Sequence, residues 1–233
     1  NKDKHSKIEN NDVNKMVGNP VLSNPNDIDN ALSSDNLVSL SPRSGGNRLI
    51  WDMRYPGFKS FEGMVLYSSP NVGPKVAPGK YNIKMTYNDQ IQQKEFEIVK
   101  DPRVKISQAD YEDQLEFLIN VRDEVSRANQ KIIDIRNIKN NMIFISEKTR
   151  DNTELQEMIN NYLTDVSEIE NNIHMTKNQS RQDPLNYGIR INNRIAFLLA
   201  DSQRGDYPPT DQSKEFFIHC LLYTSDAADE MRR

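Results

Sequence analysis

Ten apolar residues recur at steps of three or four along one stretch of the chain: Leu115, Leu118, Val121, Val125, Ala128, Ile132, Ile135, Ile138, Met142 and Ile145. This spacing lines them up on one side of a helix with 3.6 residues per turn, and it does not fit the period of two that a strand requires. It predicts one amphipathic helix over about 108–147, roughly 60 Å long at 1.5 Å per residue. Ser107 with Asp110 three residues on is a capping-box-like start, the carboxylate standing in for Glu. A helix this long cannot cover its own stripe. After the polar break Thr149–Thr153, a second helix follows to about Thr176, carrying Leu155, Ile159, Tyr162, Val166, Ile169 and Ile173. The two are expected to fold back as a long antiparallel hairpin with both stripes in one seam. Asp183-Pro184 starts a third helix with Ile191, Ile195, Leu198 and Leu199, ended by Gly205 near Pro208-Pro209. Thr210-Asp211 caps a fourth.

Upstream the period changes to two. Leu49, Trp51 and Met53 alternate with Ile50 and Asp52, and Gly63–Tyr67 is a second short apolar run. Tyr81, Ile83, Met85 and Tyr87 alternate with Asn82, Lys84 and Thr86, which predicts a half-buried strand. Asn88-Asp89 supplies a turn, and Phe96 and Ile98 mark the returning strand. Pro56-Gly57 and Pro78-Gly79 punctuate the ends. The expected fold is therefore α+β: a small Ig-like antiparallel β-sandwich over 37–100, followed by a helical hairpin or bundle over 101–219. Leu37–Leu40 is expected to open the first strand, and Trp51 to sit in the sandwich core. Residues 1–36 are polar and asparagine-rich, with Pro20 and Pro25, and read as a poorly ordered linker or remnant.

Composition removes several function classes. Among 233 residues, thirty basic side chains face thirty-four acidic ones, a net charge of −4, which argues against a nucleic-acid partner. No run of about 18 apolar residues exists to span a bilayer. One cysteine, Cys220, excludes an internal disulfide framework, and His5, His174 and His219 are scattered without a second ligand at helical spacing. The chain opens at Asn1 rather than Met and reads as a fragment, so the lack of a targeting segment leaves its compartment open. The eleven residues Cys220–Glu230 resemble the translation of a transposase-type sequencing-library adapter. Residues 220–233 are accordingly expected to be a non-native tail, and Cys220 beside His219 is not read as a nucleophile.

Asp52 and Glu62 are the pair of carboxylates a glycoside hydrolase would need. The simpler expectation is that Asp52 pairs with Arg54 or caps a turn, and that Glu62 precedes a glycine in a loop. Arg54 and Tyr55 are expected to tie a strand end to the loop through backbone carbonyls. Trp51 is read as a core residue rather than a sugar-stacking platform. Lys105, Arg122, Arg127, Lys131 and Arg136 alternate with acids and read as a solvated face. His174 is expected to interact with the dipole at its helix end, and Asn137, Asn140, Asn141 and Asn152 to mark an exposed hairpin tip. No catalytic, cofactor-binding or metal-ligating residue is assigned.

Several blocks carry a resemblance. They are Asn47–Pro56 (with Trp51-Asp52-Met53-Arg54-Tyr55-Pro56 the most specific), Phe61–Met64, Gly73-Pro74, Val76–Tyr81, Lys100–Arg103, Arg122–Ser126, Asn192-Asn193, Gly205–Tyr207 and Pro209–Gln212. Over roughly Leu37 to Phe217 the chain resembles the C-terminal region of bacterial sortilin-like proteins with BNR/Asp-box repeats, often named glycosyl hydrolases. The resemblance implies a parent chain with a secretion signal and a large β-propeller, then an Ig-like module and a helical hairpin region. It implies a non-catalytic accessory region of an exported protein, whose partner is the upstream propeller. One alternative makes it part of a glycoside hydrolase, with Asp52 or Glu62 reaching the propeller's ligand face. A second makes it a self-associating module that pairs through its helices.

Overall fold

The structure is a computed structural model that describes Met16–Val17 and residues 44–230. The chain is mixed helix and strand, in the order β1 (Met16–Val17), β2 (Gly79–Tyr87), β3 (Gln90–Ile98), α1 (Gln108–Lys148), α2 (Thr153–Ile173), α3 (Pro184–Tyr187), α4 (Ile191–Ser202) and α5 (Asp211–Glu230). It divides into two compact units. One takes the chain up to Arg54 with Val76–Lys105, and the other takes Tyr55–Lys75 with the helices. The expected linker over 1–36 and the strand start at Leu37–Leu40 lie outside the described residues, apart from the two residues of β1.

In the strand unit, β2 and β3 pair antiparallel from Gly79↔Ile98 to Tyr87↔Gln90, and β1 pairs with the other edge of β2 through Met16↔Met85. Asn88 and Asp89 both hold positive φ, 43° and 63°, the backbone of the two-residue turn whose twist matches that of the flanking strands. Tyr81 and Phe96 face each other across the pair, and Trp51 meets both edge-on with ring centroids 6.2 and 6.1 Å away. The Trp51 indole N–H donates to the Arg54 carbonyl at 3.1 Å. The buried Tyr81 hydroxyl donates to the Ala77 carbonyl.

This aromatic cluster departs from the expected sandwich. Among the described residues one sheet forms, and no second sheet faces it. Tyr81 is buried, but Ile83 and Tyr87 on the same face stay exposed, because among the described residues no layer covers that half of the hairpin. The alternation was correct; the coverage it implied is limited to one end. Leu49–Met53 and Gly63–Tyr67, read as strands, are not strands. Met53 adopts φ 59°, outside the extended region, and the Gly63 turn closes through a Met64 N–H bond to the Phe61 carbonyl. Short apolar runs bounded by Pro and Gly do not distinguish a strand from a loop anchored by its side chains.

In the helical unit, α1 starts at Ser107. The Ser107 hydroxyl accepts from the Asp110 N–H, and the Asp110 carboxylate accepts from the Ser107 N–H. The stripe of α1 is covered piecewise. Phe117, Leu118, Val121 and Val125 pack with Ile195, Ala196, Leu198 and Leu199 of α4, while Ala128, Ile132 and Ile135 pack with Val166 and Ile173 of α2. Past Ile135 no stripe residue is buried, and Ile145 is 39% exposed. There the start of α2 lies beside α1, with Gln156 Nε2 donating to the Ser146 carbonyl at 2.9 Å, while the α4 side chains pack on the other half of α1, Phe117 to Val125. The expected third helix is two pieces, since Gly188 at φ 88° breaks it between α3 and α4. α5 runs unbroken across positions 219 and 220, and Cys220 is buried with Phe117 and the α4 residues.

Candidate functional site

The helical unit buries polar side chains where the segment 55–75 crosses the helices. Phe58 enters the cluster of α1 and α4, and Phe61 packs beside Ile132, Ile135 and Val166. The backbone between them is held by side chains rather than by a sheet. The Lys59 N–H donates to the Ser126 hydroxyl at 3.0 Å, and the Lys59 carbonyl accepts from Asn129 Nδ2 at 2.7 Å. Further along, Asn193 takes both backbone groups of Tyr67: its Oδ1 accepts from the N–H at 2.8 Å and its Nδ2 donates to the carbonyl at 3.0 Å. Asn71 does the same for Phe58 within the segment. Where the ends of the segment meet, the Tyr55 N–H donates to the Pro74 carbonyl at 2.8 Å, and a Cβ on Gly73 would lie 1.8 Å from the Tyr55 oxygen. Only glycine permits that approach.

Charged and neutral groups together complete the centre. Glu170 of α2 is buried and accepts from Arg136 Nε at 2.8 Å and from Lys139 Nζ at 2.9 Å, both on α1. Burial pushes its carboxyl up, but the bonds and charges of Arg136 and Lys139 outweigh it and hold the group below the usual range. Arg136 also donates to the Glu62 carbonyl at 2.8 Å, and its guanidinium sits 4.7 Å from the centre of the Phe61 ring. His174, the residue that ends α2, is 2% exposed and lies 3.2 Å from Asn192 Nδ2 through its Nδ1. Asn192 Nδ2 in turn donates to Asn129 Oδ1 at 3.2 Å.

Several expectations change here. His174 does not sit at an open helix end: the 55–75 segment covers it, and Phe61 meets its ring edge-on at 4.9 Å. Arg136 and Arg122 are not on a solvated face, since Arg136 clamps the segment and Arg122 is 5% exposed, paired with Asp123 at 2.7 Å. Arg127 reaches the buried Glu124 one turn back. Lys105 and the tip asparagines 137, 140, 141 and 152 are exposed, and Asn152 caps α2 by accepting from the Leu155 N–H.

Asp52 and Glu62 fall in different units. Asp52 Oδ1 accepts from the Arg54 N–H at 3.1 Å, closing a short turn, and Glu62 is exposed with its carbonyl held by Arg136. Burial pushes the Cys220 thiol up to about 11, with Arg194 opposing and Glu124 adding, so it is a poor nucleophile at neutral pH. His219 is exposed. Among the described residues, no three His, Cys, Asp or Glu side chains are grouped to hold a metal ion, and no helix is long and apolar enough to cross a membrane.

The polar residues that matter most, Gln114, Asn129 and Asn193, were not singled out as polar core residues. A signal existed for two of them. Gln114 precedes Leu118 by four, and Asn129 follows Val125 by four and precedes Ile132 by three, so both lie on the apolar stripe. Gln114 Nε2 donates to the Ser202 and Gly205 carbonyls at 2.9 and 2.7 Å, closing the end of α4.

No family model, curated protein or solved structure matches the chain.

Proposed function

We propose that this chain is a non-catalytic accessory region: a structural piece of an exported sortilin-like propeller protein, working by packing and spacing. The observation that carries this reading is how the inward polar side chains are used. Gln114, Asn129, Asn193 and Arg136 all direct donors at backbone carbonyls of the chain itself. Such bonds make irregular backbone rigid; groups poised for chemistry need a reacting atom within reach instead. In this reading the strand unit serves as the family's Ig-like module, and the α1–α2 pair as its helical hairpin, a spacer beside the upstream propeller.

Sequence read upstream of the Asn1 codon tests the parentage. Asp-box propeller repeats in the same reading frame support it, and any other domain there ends it. With the parent in hand, Asp52→Asn and Glu62→Gln should leave turnover of any glycoside within about twofold. The hydrolase alternative requires a loss of about a hundredfold or more from at least one of them.

A second reading, self-association, is favoured by the far end of α1 and α2. Ile143, Phe144, Met158 and Tyr162 are all at least 44% exposed there. Sedimentation across a hundredfold concentration range would show a constant monomer under the first reading. Under the second it would show a dimer that Phe144→Glu dissolves.

A further inference from the structure

Lys59–Met64 forms a strap over the place where α1, α2 and α4 meet, and its anchors lead to one imidazole. The Lys59 carbonyl accepts from Asn129 Nδ2 at 2.7 Å, and Asn129 Oδ1 accepts from Asn192 Nδ2 at 3.2 Å. That same amide nitrogen lies 3.2 Å from His174 Nδ1. An amide nitrogen only donates, so Nδ1 is the acceptor and the imidazole is neutral in this arrangement. On its other side, Phe61 of the strap meets the His174 ring edge-on at 4.9 Å, under the Arg136 guanidinium. Asn192 Oδ1 is buried and has no hydrogen-bond partner among the described residues.

We infer that His174 is a proton-operated latch for the Lys59–Met64 strap, closed when the ring is neutral and opened when it takes a proton. A proton on Nδ1 sets donor against donor at Asn192. The amide relieves this by turning its unpartnered Oδ1 to the ring. Oδ1 then faces Asn129 Oδ1, acceptor against acceptor. Asn129 can answer only by turning over, which withdraws the donor from the Lys59 carbonyl. The break thus travels from ring to strap through groups already in contact.

The charges around the ring set the direction. Arg136 of α1 opposes a second cation, Glu170 of α2 favours one but is already bonded to Arg136 and Lys139, and from α4 the neutral Asn192 meets the ring. Burial first, with Arg136 beside it, holds the ring below the ordinary value of 6.5 against the pull of Glu170. The closed strap therefore prefers the neutral ring. Its stability is complete above about pH 6.5 and declines as pH falls below that value, by at most about tenfold per unit.

Amide exchange on the whole chain tests this at about pH 7.5 and about pH 5.5, corrected for the intrinsic exchange rate. The probes are the Lys59 N–H, held by the Ser126 hydroxyl, and the Met64 N–H, held by the Phe61 carbonyl. Protection at both should fall at the lower pH, by up to about tenfold. The Tyr67 N–H, held by Asn193, should keep its protection, and His174→Gln should abolish the pH response. Equal protection at both pH values overturns the latch, as does an equal fall at Tyr67 or an unchanged fall in His174→Gln. If that variant does not fold, the ring of His174 in the native chain is followed by NMR over the same range. A titration that coincides with loss of strap protection supports the latch, and a titration without that loss overturns it.

Discussion

Glu170 and His174 stand four residues apart at the end of α2, both buried, and their surroundings push them in ways that acid reverses at different points. Glu170 is held below its ordinary value of 4.5 by Arg136 and Lys139, so its contribution is present above that value and lost as pH falls through the lowered one. His174 is held below 6.5, so its loss begins earlier, as pH falls below that value. Urea unfolding followed from pH 8 to pH 3 should show two declining limbs. His174→Gln should remove the upper limb, and Glu170→Gln should shrink the lower one, to which the capping Asp110 also contributes. At neutral pH Glu170→Gln should also cost about 1–3 kcal/mol, since Arg136 and Lys139 are partly exposed and recover some hydration. Asn193 makes the same point without charge. Asn193→Ala removes three bonds, to both backbone groups of Tyr67 and to the Ser69 hydroxyl, and should lower unfolding free energy by about 2–4 kcal/mol. Asn137→Ala, at an exposed position of the same helical unit, should change it by less than about 0.5 kcal/mol.

At the level of elements, α1 shows how far a periodic pattern can be trusted. Its start at Ser107 and its length follow from local signals, a cap and a three-four spacing that no strand can satisfy. Which parts of the stripe are covered does not follow, because coverage depends on where α4 and the 55–75 segment pack along the helix. Truncation scanning along the stripe makes the difference measurable. Ile132→Ala, at a site with no exposure, should cost about 2–5 kcal/mol in chemical denaturation, while Ile145→Ala should cost less than about 1 kcal/mol. Equal costs would mean that another chain covers the far end in solution. The β2–β3 hairpin behaves alike. Its register and turn were readable from Asn88-Asp89 and the alternation around it, but the exposure of Ile83 and Tyr87 was not.

At the scale of the whole molecule, the two units have separate cores, one aromatic around Trp51, Tyr81 and Phe96, the other aliphatic along α1. Trp51 is the sole tryptophan, so its fluorescence reports the strand unit, whereas helical circular dichroism reports the other. In urea the fluorescence transition should precede the dichroism transition, because among the described residues the strand unit buries Val76, Ala77 and Tyr81 against a far longer run of apolar side chains along the helices. Coincident transitions would contradict this. The sequence alone determined what depends on neighbours a few residues away: the helical periods, the Ser107 cap, the hairpin turn and the mixed class of the fold. Only the tertiary structure decided that Gly63–Tyr67 is a loop rather than a strand, that Arg136 points inward, and that His174 is covered. Those outcomes rest on partners far along the chain, such as Asn193 with Tyr67, 126 residues apart, and a local period carries no record of which distant atoms will fill a hydrogen bond.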